Sequence, residues 1–170
     1  GTLSTAVFNI DNVFSTSHRV YKIFVDGAYP SSDGEFQFNF RSGGASGTIQ
    51  NASAYRFTGI RQERNAGGTS GMALANDSWG LTYVRLGQSL ESSNAEYTMN
   101  LELTVYNPID TKPTYFTSIS NQMDASGTYI VGYHNNGIYF NNTSITGIAL
   151  NTESGNWSGG KVRVYGFKES

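Results

Sequence analysis

The side chains that most often carry catalysis are sparse in this sequence. Its two histidines, His18 and His134, lie far apart, and neither has an acid or a nucleophile at a diagnostic spacing. No H-E-x-x-H, G-x-S-x-G or phosphate-cradling glycine loop is present. A pair of carboxylates could hydrolyse a glycosidic bond, and Glu91, Glu96 and Glu102 are near one another in sequence. Alternation places Glu102 on the outer side of a strand, where a solvated polar face is the plainer account. Asp26, Asp33 and Glu35 could offer oxygens to calcium, but Asp33-Gly34 is already explained as turn chemistry. No catalytic residue, metal ligand or cofactor is therefore assigned, and the chain reads as a non-enzyme.

Binding chemistry is better represented. Sugar rings present apolar C–H faces that stack on Trp or Tyr, and their hydroxyls need amide and carboxylate partners. "DSWG" (77–80), "YHNNGIYFNN" (133–142) and "SGNWSGG" (154–160) each set an aromatic beside such groups. Trp79, Tyr133, His134, Asn135 and Trp157 are the candidate glycan-binding residues. They are expected in loops, because strand faces in a sandwich are taken up by the core or by solvated polar rows. Bland roles compete. Tyr133 and Tyr139 could pair across strands flanking a turn, Trp79 could be core, and Trp157 could staple its own hairpin or a subunit interface.

The elements that must position these residues are strands. The 170 residues include 20 glycines but only 3 prolines, with 11 Tyr and 10 Phe, a mix that favours strands joined by tight turns. "EFQFNFR" (35–41) puts Phe36, Phe38 and Phe40 on one face, and "YTMNLELTVYN" (97–107) does the same with Tyr97, Met99, Leu101, Leu103 and Val105. Weaker strands read at 20–25, 54–62, 81–87, 115–120, 128–133, 145–150 and 161–167. "SSDGE" (31–35), "HNNG" (134–137) and "SGNWSGG" read as turns, and "RSGGASG" (41–47) and "NAGGTSG" (65–71) as glycine-rich connections. "NPIDTKP" (107–113) reads as a crossover between sheets. No segment carries a 3.6-residue stripe. The expectation is an all-β chain, one antiparallel β-sandwich of jelly-roll type over 1–170, with about nine strands and no substantial helix.

Composition also excludes partners. Net charge is −2 with Lys and Arg scattered singly, so no basic stripe tracks phosphates and nucleic acid is excluded as a partner. There is no cysteine, hence no disulfide or thiolate metal site. No apolar run is long enough to span a bilayer, so membrane insertion is not expected. The sequons at Asn51, Asn76, Asn141, Asn142 and Asn156 are what an Asn-, Ser- and Thr-rich chain holds by chance.

One stretch resembles a known family. "ITGIALNTESGNWSGGKVRVYGFK" (145–168) is similar to the closing hairpin of a β-sandwich domain found in bacteriophage tail fibres and tailspikes. Ile145, Gly147, Ile148, Ser154, Gly155, Asn156, Trp157, Gly160, Val162, Val164, Tyr165, Gly166, Phe167 and Lys168 hold the places of its pattern. "VYKIFVDGAYPSSDGEFQFNFRSGG" is similar to the family's opening hairpin and "LELTVYNP" to its central strand. The segment 60–95 has no counterpart there.

The resemblance implies a virion tail protein, extracellular after assembly, of which this chain would be a C-terminal piece. It also implies a homotrimer that docks to other tail proteins and binds host surface polysaccharide or lipopolysaccharide without catalysis. Gly147 and Gly166, inside the last two strands, are expected to admit a neighbouring backbone. A trimerising, capping or capsid-decoration domain without host ligand is the alternative, and a glycan depolymerase a more distant one. The pattern carries no catalytic residues.

Overall fold

The computed structural model describes residues 1–65, 67–68, 70–90, 98–124 and 127–168. They form twelve strands and no α-helix: β1 (Val7–Ile10), β2 (Val20–Pro30), β3 (Gly34–Ser42), β4 (Thr48–Ile49), β5 (Tyr55–Asn65), β6 (Ser70–Leu81), β7 (Val84–Leu90), β8 (Met99–Tyr106), β9 (Thr114–Met123), β10 (Tyr129–Tyr139), β11 (Gly147–Thr152) and β12 (Trp157–Phe167). The antiparallel sandwich of jelly-roll type is as expected, with twelve described strands in place of about nine. A large sheet runs β12-β2-β8-β9-β10-β5-β6, and a small one runs β1-β11-β3-β4 with β7 also on β3.

The core lies between the sheets. Phe36, Phe38 and Phe40 of β3 meet Ile23 and Val25 of β2, Leu101, Leu103 and Val105 of β8, and Phe116 of β9. The Phe38 ring sits edge-on to Phe116, with centroids 5.2 Å apart. Tyr55 stacks on Phe40, donates its hydroxyl to the Gln50 carbonyl at 2.8 Å and accepts from the Phe40 amide at 2.8 Å. Burial pushes its phenol well above the ordinary value, so it stays a donor.

Three connections differ from expectation. The segments 145–150 and 161–167 are not a hairpin: β11 pairs β1 and β3 in the small sheet, while β12 pairs β2 in the large one. The same holds for the apparent opening hairpin, because β2 and β3 also belong to different sheets. Both turns are arches, and they lean on each other. Ser31 donates its amide to the Asn156 carbonyl at 2.7 Å, and Glu153 donates its amide to the Glu35 carbonyl at 3.0 Å. The loop 107–113, read as a crossover, instead joins β8 and β9, which are hydrogen-bonded neighbours in one sheet.

"HNNG" is not a turn but the middle of β10. Gly137 is there for packing. A Cβ on it would lie 2.3 Å from the Phe116 ring and 2.6 Å from the Phe57 Cβ, so only glycine lets these two rings meet beneath the strand. The glycines expected to admit a neighbouring subunit are filled from within the chain. A Cβ on Gly147 would lie 2.2 Å from the Ile10 carbonyl oxygen, and one on Gly166 would lie 2.7 Å from the His18 ring. They are no argument for a trimer.

Candidate functional site

The outer face of the large sheet is built from cross-strand rows. Residues directly opposite in an antiparallel pair share a face. One row can be followed across all seven strands: Phe167, Val20, Tyr106, Tyr115, Ile138, Arg56 and Trp79. Trp79 is 78% exposed and Tyr115 58% exposed, so this is a solvent-facing aromatic row. The next row on β9, β10 and β5 is small and polar: Thr117, Asn136 and Thr58. Beyond it come Ile119, His134, Ile60 and Leu74. The aromatic and polar rows enclose an open trough of about 620 Å³.

Trp79 faces outward because of one residue. Leu81 pairs with Tyr55, and both pack inward. In an unbroken strand Trp79, two residues before Leu81, would face inward too. The register instead shifts, so that Trp79 pairs with outward-facing Arg56 and Gly80 is left over. Gly80 has φ +81°, the left-handed conformation that a bulge demands and glycine supplies at little steric cost.

Arg56 is held in place by this arrangement. Its guanidinium carbon lies 3.9 Å from the centroid of the Trp79 ring and 4.1 Å from that of Phe140, which follows β10. Two cation–π contacts on an exposed strand face fix a side chain that would otherwise sample many rotamers.

The five sequence candidates separate. Trp79 and His134 both face this surface, in rows flanking the polar one, about 13 Å apart by strand rise. Tyr133, Asn135 and Trp157 are buried and do not reach it. Tyr133 and Asn135 sit at the inward phase of β10. The Asn135 amide donates to the Ser118 hydroxyl at 3.1 Å and to the Arg85 carbonyl at 3.3 Å, tying β7 to the large sheet. Trp157 fills the corner where the chain passes from β11 to β12. It packs edge-on against Phe36 at 5.0 Å and points Nε1 at the Leu150 carbonyl, 3.4 Å away. The chain crosses between sheets there, and a large ring closes the gap.

The loop expectation thus gives way to a strand face. Missed by sequence reasoning were Tyr106, Tyr115, Arg56, Thr58, Thr117 and Asn136. Their signal was alternation itself: "TYFTSIS" and "YRFTGIR" carry a large outward residue between inward ones.

The carboxylates considered for catalysis or metal are engaged or out of view. Glu102 pairs with Lys22, Asp26 with Arg163, and Glu35 with Arg85 at 2.6 Å. Glu91 and Glu96 lie outside the described residues. Among the described residues no three His, Cys, Asp or Glu side chains gather as a metal site. Nor, among them, is any helix long and apolar enough to cross a membrane. No protein-family model matches the chain, and no similar curated protein is found.

Proposed function

We propose that this domain is a non-catalytic glycan-binding module whose ligand lies along the outer face of the large sheet. The observation that carries the reading is the exposed aromatic row set beside Thr117, Asn136 and Thr58 over an open trough. Pyranose rings would stack their C–H faces on Tyr115, Tyr106 and Trp79. Their hydroxyls would exchange hydrogen bonds with the Asn136 amide and the two threonine hydroxyls. The platform is stiff, since β9, β10 and β5 are paired along almost their full lengths. Little ordering is then required on binding.

The sequence likeness to phage tail fibre and tailspike domains supplies the biological setting. In it the domain attaches a virion tail to host polysaccharide or lipopolysaccharide, and weak single sites gain strength from many copies. The test is a glycan array with purified domain, followed by titration calorimetry on the best binder. Tyr115→Ala should weaken binding about tenfold or more, the value of roughly 1–3 kcal/mol per stacking platform, with an unchanged melting temperature. Loss of binding only where the protein unfolds would refute the assignment.

A second reading has its own observation. The part of the same face toward Met72, Leu74, Ile119 and Ile130 is aliphatic and exposed, at 71%, 77%, 55% and 62%. Aliphatic groups suit another protein surface better than a sugar. This supports a homotrimeric or capping role for that half. Light scattering at micromolar concentration should give about three chain masses, and Leu74→Glu should reduce it to one. A monomer in the unmodified protein would exclude the trimer.

A further inference from the structure

Resting on the glycan-binding reading, we infer that the trough recognises a carboxylate-bearing sugar, a uronic or sialic acid, through Arg56. Among the described residues lining the trough Arg56 is the single charged side chain. Five other cations are treated differently: Lys22 meets Glu102, Arg41 meets Asp11, Arg61 meets Glu63, Arg85 meets Glu35, and Arg163 meets Asp26. No acid among the described residues meets Arg56. Its Nε is buried and has no acceptor among the described residues. The Nε atoms of Arg61 and Arg85 have the same status, but those two guanidinium groups already meet carboxylates; Arg56 combines the open donor with the lack of an anion, which marks a place where a ligand can supply the acceptor.

The geometry selects the kind of anion. Trp79 and Phe140 lie over the guanidinium at 3.9 and 4.1 Å. Aromatic contact engages the face of a guanidinium, and its in-plane edge carries an N–H fork that matches a planar carboxylate with two parallel hydrogen bonds. The clamp also removes most of the rotamer entropy that a free arginine loses on binding. Tyr115 and Tyr106 lie in the same row, so a sugar ring stacked on them can hold its carboxylate toward the clamp while its hydroxyls face Asn136 and Thr58. A neutral glycan would leave the arginine edge desolvated and unmatched.

The test uses the whole chain and immobilised oligosaccharides containing glucuronate, galacturonate or N-acetylneuraminate, each beside its carboxyl-reduced counterpart. At least one acidic member should be retained, its reduced form at least tenfold more weakly, and the difference should shrink as salt is raised. Arg56→Gln should abolish the preference for the acid form at unchanged melting temperature. Arg56→Lys, which keeps the charge but not the fork, should restore only part of it. Equal retention of acid and reduced forms, or an unchanged preference in Arg56→Gln, overturns the inference. If neutral sugars bind and Tyr115→Ala abolishes that binding, the glycan face stands and the acid specificity falls. If nothing in the panel binds, both fall.

Discussion

Outside the small sheet, the polar side chains Asn39, Arg41 and Asn151 are buried at 5%, 6% and 9% exposure. Outside the large sheet, Trp79, Tyr115 and Ile119 stand at 78%, 58% and 55%. The usual inside-outside preference is inverted on both. On the small sheet the outward residues are consumed by the protein itself. Asn151 donates to Asn39 at 2.7 Å, Asn39 donates to the Thr82 carbonyl at 2.5 Å, and Arg41 forks onto Asp11 while also donating to the Gly47 carbonyl. On the large sheet nothing among the described residues of the other sheet or its loops answers the aromatic row, and within the face only Arg56 does. One face is finished by the fold, and the other is left for something else. The lesson is that a residue's polarity and phase do not say whether its surface is available; what the neighbouring loops do decides that.

The comparison can be broken most directly at Arg41. Arg41→Met strands Asp11 and the Gly47 carbonyl, and denaturant unfolding should show a loss of about 3–5 kcal/mol. Trp79→Ala and Tyr115→Ala on the other face should each stay within about 1 kcal/mol of wild type. A comparable loss at Trp79 would make that face structural and end the contrast.

A smaller effect is expected at Asn151→Ala, which leaves the Asn39 carbonyl without its donor. About 1–3 kcal/mol should be lost, with glycan retention untouched.

Gly80→Ala sharpens the comparison from the other side. A Cβ has room there, but φ is +81°, so the cost of about 1–2 kcal/mol is conformational. Binding should fall with it, because the bulge sets the direction of Trp79.

The smallest change belongs to the interior. The Tyr133 hydroxyl is buried and finds no partner among the described residues, so Tyr133→Phe should be neutral or stabilising by up to about 1 kcal/mol. Burial also raises its phenol, as it does those of Tyr55 and Tyr139. The folded state therefore keeps protons that the unfolded chain releases near pH 10. Stability is full below that pH and declines as pH rises through the raised values. In Tyr133→Phe the alkaline decline should be shallower; an identical slope would remove Tyr133 from that account.

Much of the fold was legible because period-2 alternation is a local property. All nine strand segments read from sequence fall within or overlap observed strands. Strands β1 and β4 are short, and β6 was hidden behind "GGTSG" and "DSWG", whose glycines, serines and aspartate imitate loops. Pairing was not legible, because an arch and a hairpin share the same turn residues, as 153–156 shows. The site was half legible. Residue type picked out Trp79 and His134, but Tyr133 and Asn135 flank His134 and point the opposite way along β10. A cluster on a strand is split between two faces, a parity that the turn reading of "HNNG" concealed.

The bulge at Gly80 makes the facing of the edge strand a matter of counting. Were Gly80 instead to pair with Arg56 in an unbroken strand, Trp79 would fall opposite inward-facing Phe57, turning toward the interior and releasing Arg56 from one of its two rings. The strand lies at the sheet's margin, with β5 as its one hydrogen-bonded neighbour among the described strands, so the other strands need not respond. A single substitution of Gly80 by a residue that resists the left-handed conformation would favour that straight pairing and with it a change in the chemical character of the surface. A lineage pressed to follow a changing ligand would have, in that glycine, a short route between one binding surface and another.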